Sequence, residues 1–391
     1  MTMNLLQSNK KIIVPFLIFV SVIIGLLFTK YQPFKQTDHI SFLEKDKKLK
    51  QFIAIYQKAA EAPWEVLQPK QLLQLGVTDK SVILLRKRLQ LIGDLSNSAQ
   101  VNNPNFDQEL KEAVTLFQQR HGLAANGTVD KPTLAALNIP PKTRLKQLQA
   151  NINRWNDFAK KQKGHYLWIN IPAFQAQLVE QNKITLKESI IVGKPSHPTP
   201  EMATEITDVM LNPYWIVPSS LAKKNIVPKT LQDANYLKNQ NIRIFDATNK
   251  KELPLQELDN LQLDKNADNY FFRQEPGPKN PLGQIKYKIT NSQSIFLHDT
   301  NSVDLFKNQN RALSSGCIRL QNPFNLFSKI VQNDPSINQN SHDVNKILES
   351  GEPFNIKLNK PLPVLITYLT AWVDEKGILN FRDDIYKQDV G

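Results

Sequence analysis

Cysteine and glycine are both scarce in this chain. It has a single cysteine, Cys317, and 13 glycines among 391 residues. One cysteine cannot form an intramolecular disulfide, and no cluster of cysteines and histidines has the spacing of a zinc site. The sequence also lacks a glycine-rich phosphate-binding loop and the Gly-x-Ser-x-Gly turn of serine hydrolases. These absences argue against a disulfide scaffold, a metal site and a nucleotide cofactor, and they direct attention to Cys317 itself.

Charge and hydrophobicity narrow the class of protein. A hydrophobic fraction of 41% over this length predicts two or three domains with substantial cores. The formal net charge of +13 suits an anionic partner, such as a lipid surface or an acidic polymer, and is equally compatible with a solvated lysine-rich surface. The basic residues are spread along the chain without a nucleic-acid-binding motif, so nucleic acid is not a predicted partner.

The N-terminal segment predicts a membrane anchor. Residues 12–28 carry no charge and follow Lys10 and Lys11. A run of this length is close to that of a spanning helix, and no small-x-small cleavage site follows it. We therefore expect an uncleaved anchor in the inner membrane, with a cytoplasmic N-terminus and the bulk of the chain exported to the periplasm. A cleaved signal peptide is the alternative.

Hydrophobic periodicity divides the remaining chain into a helical half and a β-rich half. Apolar residues at helical spacing predict helices over 43–60 and 142–160, with a compact three-helix unit between them. From residue 165 the period shortens to two, and strands are expected at 165–171, 174–180, 184–193 and 204–212, with further strands at 354–358 and 363–369. Closely spaced strands with few helices imply a β-rich sandwich or barrel. Residues 219–272 are too many for a structureless loop and are expected to contain helices.

Cys317 and His298 form a candidate catalytic pair. An imidazole can take a proton from a thiol, and the resulting thiolate is a strong nucleophile. The apolar residues 294–298 predict a short strand that ends at His298. A buried structural cysteine is the alternative interpretation, and residue types and spacing alone leave both open.

The residues around Cys317 extend this hypothesis. Ser314, Ser315 and Gly316 predict a tight turn before the cysteine. The backbone N–H groups of Gly316 and Cys317 can face a developing oxyanion. Arg319 can bind a carboxylate as a two-pronged donor.

The pattern HDT at 298–300 followed by SSGCIR at 314–319 resembles the signature of L,D-transpeptidase catalytic domains. Ser315 stands where many members of that family have a second histidine, which leaves His298 as the base. This departure, together with Arg319, resembles the long Gram-negative members. Upstream, FQQRHGL at 117–123 and DKPTL at 130–134 are similar to the peptidoglycan-binding module of wall enzymes, where binding and mere positioning remain alternatives.

The resemblance implies an α+β multidomain fold. Its catalytic domain is expected to be a mixed, β-rich sandwich with a lid-like insertion, preceded by a small three-helix peptidoglycan-binding-like domain and the membrane anchor. The expected division is a stub at 1–9, the anchor at 10–30, a helical linker at 31–75, the three-helix domain at 76–140, a connector helix at 141–164, the catalytic domain at 165–361 with the lid at 219–272, and a C-terminal extension at 362–391.

The same resemblance implies a reaction. The Cys317 thiolate attacks a donor tetrapeptide stem of peptidoglycan, D-alanine leaves, and a diaminopimelate amine of an acceptor stem forms a 3→3 crosslink. The implied roles are nucleophile for Cys317, general base and acid for His298, oxyanion donor for Gly316, support of the turn for Ser314 and Ser315, and substrate binding or local support for Arg319, Thr300 and Arg311. Carbapenems are expected to acylate Cys317, and no metal or cofactor is implied.

Other outcomes remain open from the sequence. Water as acceptor makes the protein an L,D-carboxypeptidase, whereas a free D-amino acid or a protein lysine gives exchange or wall attachment. A further class is a non-catalytic wall-binding scaffold with an inert Cys317. The intact His298, Gly316 and Arg319 argue against that last class.

Overall fold

The computed structural model describes residues 41–161, 164–256, 261–334, 337 and 343–389. The predicted stub at 1–9 and anchor at 10–30 lie outside these ranges. Within them, no helix combines the length and the apolar character needed to cross a membrane.

Five helices form the first half of the described chain. They are α1 Phe42–Ala59, α2 Ser81–Leu91, α3 Gln108–Arg120, α4 Lys131–Leu137 and α5 Pro141–Lys161. Three of them begin at side chains that accept a hydrogen bond from the first-turn backbone: Ser41 from Glu44, Asp107 from Leu110 and Asp130 from Thr133. Such caps satisfy N–H groups that have no partner within the helix. The predicted helices at 43–60 and 142–160 and the three-helix unit are confirmed.

Fifteen strands follow, and nine of them build one mixed sheet. The strands of this main sheet are β1 His165–Asn170, β2 Gln175–Glu180, β3 Lys183–Gly193, β4 Met202–Leu211, β9 Ile285–Ile289, β10 Phe296–His298, β11 Ala312–Ser314, β12 Ile318–Leu320 and β13 Phe354–Thr367. Their order across the sheet is β11-β3-β12-β10-β9-β4-β13-β1-β2, and β2 also pairs with β3. The predicted mixed, β-rich fold is confirmed, and the pairing forms a single sheet that returns on itself through β3.

The turn between β2 and β3 shows how local chemistry sets this path. Gln181 and Asn182 both have positive φ, at 50° and 64°. A two-residue connection with positive φ at both positions matches the right-handed twist of a hairpin, and asparagine tolerates that conformation. This turn connects the strands that the sequence predicts at 174–180 and 184–193.

The insertion between β4 and β9 is a small α/β unit. Its elements are β5 Trp215–Ile216, α6 Ser219–Leu221, a π-helical turn Ala222–Ile226, α7 Val227–Gln232, α8 Tyr236–Asn239, β6 Ile242–Asp246, β7 Glu252–Leu253, α9 Leu263–Asn266, a 3-10 turn Ala267–Asn269 and β8 Tyr270–Gln274. The strands pair in the order β5-β8-β6-β7, over a separate core that includes Leu237, Ile244 and Phe272. The predicted helices are confirmed, whereas the sheet was not predicted.

The C-terminal part corrects one prediction. The expected strands at 354–358 and 363–369 are one strand, β13, whose pairing with β4 is irregular between Lys357 and Leu362. Its second half pairs with both β4 and β1 in the main sheet. Strand β13 therefore runs across residue 362, where the C-terminal extension is predicted to begin, because the interruption is a bulge within a continuous strand.

The extension packs against the helices. After α10 Pro323–Asn333 and α11 Val344–Ser350, the chain returns through β13 and ends in a hairpin of β14 Ala371–Val373 and β15 Leu379–Phe381. Phe381 is fully buried, with its ring 5.4 Å from those of Tyr56 and His121. One hydrophobic core thus joins α1, the three-helix unit, α5 and this hairpin.

We expect Phe381→Ala to lower the free energy of unfolding by about 3–5 kcal/mol, since it removes a buried ring and leaves a cavity. Urea unfolding followed by circular dichroism measures this change. Lys376→Ala, at an exposed position of the same hairpin, is the control and is expected to stay within about 0.5 kcal/mol of the parent. Equal, small effects would show that the hairpin does not stabilise the helical core.

Candidate active site

Three neighbouring strands bring the polar residues of the site together. Strand β10 lies between β12 and β9, and His298 is in register with Arg319 on one side and with Lys286 on the other. Side chains alternate along a strand, so these three share one face of the sheet. The opposite face carries Leu297, Ile318 and Tyr287, which are fully buried. Burial of this apolar row therefore holds His298, Arg319 and Lys286, the polar row, together on the other face.

His298 lies at the C-terminal end of β10, as predicted, and is only 4% exposed. Its Nδ1 hydrogen-bonds to the carbonyl oxygen of Asp299, which requires the proton on Nδ1 and leaves the Nε2 lone pair available as a base. Burial lowers the pKa of His298 to about 3, and the positive charges of Arg319 and Lys286 contribute in the same direction. The imidazole is therefore neutral at physiological pH.

Cys317 is half-buried, and its Sγ lies 3.8 Å from the carbonyl oxygen of Ser294. Burial raises the pKa of the thiol, while a backbone hydrogen bond with Phe296 and the charges of Lys286 and Arg319 oppose the increase. Among the described residues, no hydrogen bond joins the Cys317 thiol to the His298 imidazole. The resting pair is thus a neutral thiol and a neutral imidazole.

The turn before Cys317 is held by two hydroxyl groups. Ser314 Oγ donates to the Cys317 carbonyl at 2.6 Å and accepts from the Gly316 N–H at 3.1 Å. Thr199 Oγ1 donates to the Gly316 carbonyl at 2.7 Å and accepts from the Gly193 N–H at 2.8 Å. Gly316 has a φ of +115°, and a Cβ there would lie 3.1 Å from Ile295 Cδ1. The turn therefore requires glycine.

The structure gives the two predicted backbone N–H donors different surroundings. The Gly316 N–H is occupied by Ser314 Oγ, whereas the Cys317 N–H has no hydrogen-bond partner among the described residues. Ser315 is exposed, next to the glycine. An oxyanion that forms at Cys317 is therefore met first by the N–H of Cys317 itself.

The three residues predicted to bind substrate lie in different environments. Arg319 joins the site, and its Nε is buried without a hydrogen-bond partner within the described ranges. Thr300 is buried, and its Oγ1 accepts from the Ser302 N–H, which supports the turn after His298. Arg311 donates to the carbonyls of Ile190, Asn308 and Phe174, so that its guanidinium holds loops together.

Sequence reasoning missed three residues that the structure places at the site. Lys286 was detectable in principle, because β9 alternates Lys286, Tyr287 and Lys288 between a polar and a buried face. Thr199 and Tyr386 lie far from Cys317 along the chain, and their spacing from it does not indicate a role at the site. Tyr386 Oη donates to the Gly193 carbonyl at 2.6 Å and accepts from the Thr199 N–H at 3.1 Å, so the C-terminal extension supports the turn at Gly316 through Thr199.

In the described ranges, no group of three or more His, Cys, Asp or Glu side chains is arranged to hold a metal ion.

Two protein-family models match this chain, each in a separate region. A family model described as "L,D-transpeptidase catalytic domain" matches residues 164–337, and one described as "Putative peptidoglycan binding domain" matches residues 78–137. A curated protein of Haemophilus influenzae, described as "Putative L,D-transpeptidase", is 32% identical over 223 residues. That alignment covers 57% of this chain and 44% of the relative, so the chain spans less than half of the relative's length.

Solved structures give weaker overlaps. An L,D-transpeptidase of Xylanimonas cellulosilytica has 14% identity and a TM-score of 0.25, over 76% of this chain and 97% of that one. An L,D-transpeptidase of Mycobacterium smegmatis has 13% identity and a TM-score of 0.25, over 52% of this chain and 59% of that one. The family models, and not these overlaps, confirm the predicted resemblance and locate both domains along the chain.

We expect Lys286→Met to slow alkylation of Cys317 by iodoacetamide at pH 8 by about threefold to tenfold, because loss of the cation raises the thiol pKa by up to about one unit. In the parent, the rate should rise with pH throughout pH 6–8 without a step near 6.5, since His298 stays neutral there and the thiol deprotonates only at higher pH. Lys288→Met, an exposed position on the same face of β9, is the control. A plateau below pH 7 would instead indicate a preformed thiolate–imidazolium pair.

Proposed function

We propose that this chain, which carries an L,D-transpeptidase catalytic domain behind a domain of the peptidoglycan-binding type, is a peptidoglycan L,D-transpeptidase with Cys317 as its nucleophile. The observation that carries the proposal is the arrangement around β10. The single cysteine of the chain directly precedes β12, and β12 pairs with the strand that ends at a neutral His298. A nucleophile and a base from distant segments are thereby brought to neighbouring strands of the sheet.

In the proposed first step, Cys317 Sγ attacks the carbonyl carbon that follows the L-centre of diaminopimelate in a donor tetrapeptide. The thiol proton moves to Nε2 of His298 as the sulfur–carbon bond forms. The oxyanion is stabilised by the Cys317 N–H. His298 then protonates the leaving amine, the carbon–nitrogen bond breaks, and D-alanine departs from a thioester.

In the second step, the side-chain amine of an acceptor diaminopimelate attacks the thioester carbonyl. His298 Nε2 takes a proton from the attacking amine as the new amide forms. The sulfur–carbon bond breaks, and the proton returns to Cys317. The product is a 3→3 crosslink, and the enzyme is restored without a net gain or loss of protons or electrons.

The electrostatics of the site favour charge that develops during the reaction. Burial keeps both the thiol and the imidazole neutral before substrate binds. Lys286 and Arg319 remain beside them as cations, and each interacts favourably with a negative Cys317. We infer that proton transfer accompanies attack on the carbonyl, because the two cations stabilise an anion that forms only then.

Arg319 has a second role in this proposal. Its buried Nε lacks a partner within the described ranges, and an unpaired buried donor is costly. A carboxylate of the stem peptide satisfies this donor. Arg311 is assigned support of the loop, since its donors are already engaged with carbonyl oxygens.

Location and inhibition follow from the same proposal. We propose a periplasmic enzyme held to the inner membrane by residues 10–30, with a cleaved signal peptide as the alternative. Carbapenems are proposed to acylate Cys317, because their strained carbonyl presents the same electrophile as a stem peptide.

Incubation of residues 36–391 with purified disaccharide tetrapeptide tests the reaction by mass spectrometry. We expect release of D-alanine together with a crosslinked dimer, and a loss of at least about 1000-fold in rate for Cys317→Ala, since no other residue supplies the nucleophile. Lys376→Ala, at an exposed position of the C-terminal hairpin, is the control and should retain turnover. Tripeptide without dimer would make the protein an L,D-carboxypeptidase, and no turnover alongside binding to sacculi would leave a scaffold.

The insertion at 219–272 is proposed to act as a lid. It has its own core and sheet, and its last strand, β8, leads into the segment before β9, which bears Lys286. Replacement of residues 219–272 by a short Gly-Ser linker is expected to lower kcat/KM for the tetrapeptide by about tenfold or more, because water then reaches the site freely. Full turnover in the shortened protein, with unchanged thermal stability, would exclude a lid.

A further inference from the structure

A cleft of about 830 Å³ lies where three parts of the fold meet. One wall comes from the helical unit at residues 121–144, another from residues 172–174 and 309–311 of the catalytic domain, and the third from residues 381–385 of the C-terminal extension. The volume is in the range of ligand-binding clefts. Neither Cys317 nor His298 lines it, so it is separate from the site of chemistry.

Three arginines line the cleft, Arg144, Arg311 and Arg382, and the donors of Arg311 are engaged with backbone carbonyl oxygens. Arg144 is 7% exposed, and its guanidinium lies 5.0 Å from the centre of the Phe381 ring. Arg382 lies 5.1 Å from the centre of the Trp372 ring. Within the described ranges, neither Arg144 nor Arg382 forms an ion pair with a carboxylate, and burial lowers the pKa of each to about 10. Both remain charged at neutral pH, and the carboxylate of Asp383 acts on both arginines without forming an ion pair with either.

Arg144 and Arg382 each use only some of their N–H groups in hydrogen bonds. Arg144 uses Nη1 for the side-chain oxygen of Gln147, at 2.9 Å. Arg382 uses Nη1 for the carbonyl oxygens of Arg120 and Phe381, at 3.1 and 2.7 Å. Their Nε and Nη2 groups have no hydrogen-bond partner in the part of the chain that the structure describes. Two desolvated guanidinium groups with unused donors match the geometry of carboxylate binding.

The rest of the wall is mainly apolar. Leu123, Pro132, Phe174 and Ile385 contribute side chains, and Asp383 is the one carboxylate that lines the cleft. Apolar walls with a few convergent polar groups suit a ligand whose charged ends are separated by aliphatic segments. A peptide with free carboxylates meets this description better than a compact inorganic anion.

We infer that this cleft is a second binding site for peptidoglycan, and that it holds a stem peptide through its carboxylates on Arg144 and Arg382. The inference rests on the proposed function for the nature of the polymer. The contact with peptidoglycan is thereby assigned jointly to the helical unit, the catalytic domain and the C-terminal extension. The helical unit thus contributes one wall of a composite site.

The position of the cleft suggests what binding achieves. Residues 309–311 form part of its wall and run directly into β11, which ends at Ser314 in the turn before Cys317. A peptidoglycan strand bound in the cleft keeps its neighbouring stem peptides close to Cys317 and raises their effective concentration. The expected signature is a higher KM on polymeric substrate when the cleft is impaired, with kcat unchanged.

The experiment measures binding of the full chain, in detergent, to purified sacculi by sedimentation. All proteins carry Cys317→Ala, so that turnover does not contribute. Arg144→Gln combined with Arg382→Gln is expected to weaken binding by roughly tenfold or more, since charge-assisted hydrogen bonds are lost. Arg243→Gln combined with Lys224→Gln, at two exposed positions of the insertion, removes the same two charges outside the cleft and should bind like the parent.

Because substitution of the two arginines could itself prevent folding, a second pair of variants tests the cleft with both arginines in place. Ala135 lines the cleft at an exposed helical position. Ala135→Glu places a competing carboxylate in the cleft and is expected to weaken binding, whereas Ala135→Lys is the size-matched control. Sacculi whose carboxylates have been amidated should lose binding to the parent.

The outcomes separate this inference from the proposed function. Undiminished binding by Ala135→Glu and by a folded double-arginine variant would overturn the cleft assignment, even if the Cys317 enzyme crosslinks soluble tetrapeptides. Equal binding to amidated sacculi would overturn the role of carboxylates. Conversely, absent turnover with cleft-dependent binding would remove the proposed reaction and retain the site.

Discussion

The register of β10 with its two neighbours determines the arrangement of the candidate active site. His298 lies between Arg319 and Lys286 because Leu297, one residue earlier, pairs with Ile318 and Tyr287 in the buried layer. A slip of one residue turns the imidazole or the lysine into the core and exposes an apolar side chain. The free energy of burying the apolar row therefore maintains the alignment of the polar row.

Burial has opposite effects on the two partners of the proposed catalytic pair. It lowers the pKa of His298 and raises the pKa of Cys317, so both groups rest uncharged. The same surroundings retain Lys286 and Arg319, whose positive charges are only partly compensated. A site of this kind interacts weakly with a neutral ground state and strongly with an anion. Such a difference is what accelerates a reaction through an oxyanion.

The C-terminal extension connects this site to the helical half of the chain. Phe381 inserts into the core formed by α1 and the three-helix unit. A few residues later, Tyr386 bonds to Gly193 and Thr199, and Thr199 holds the carbonyl of Gly316. The extension also supplies Arg382 to the cationic cleft. One short segment thus couples helical packing, the turn before Cys317 and the proposed contact with peptidoglycan.

The sequence by itself determined the local features. The capped helix starts, the period-two strands, the turn at Gln181 and Asn182, and the combination of a single cysteine with His298 are properties of neighbouring residues and their intrinsic preferences. Only the tertiary structure decided that β13 is one bulged strand, that Lys286 stands beside His298, and that the Gly316 N–H is occupied by Ser314. It also decided that Tyr386 reaches Thr199 and that three chain segments enclose a cleft. These features depend on which strands pair and in which register, and that choice is made by the packing free energy of the whole core and not by any short stretch of residues.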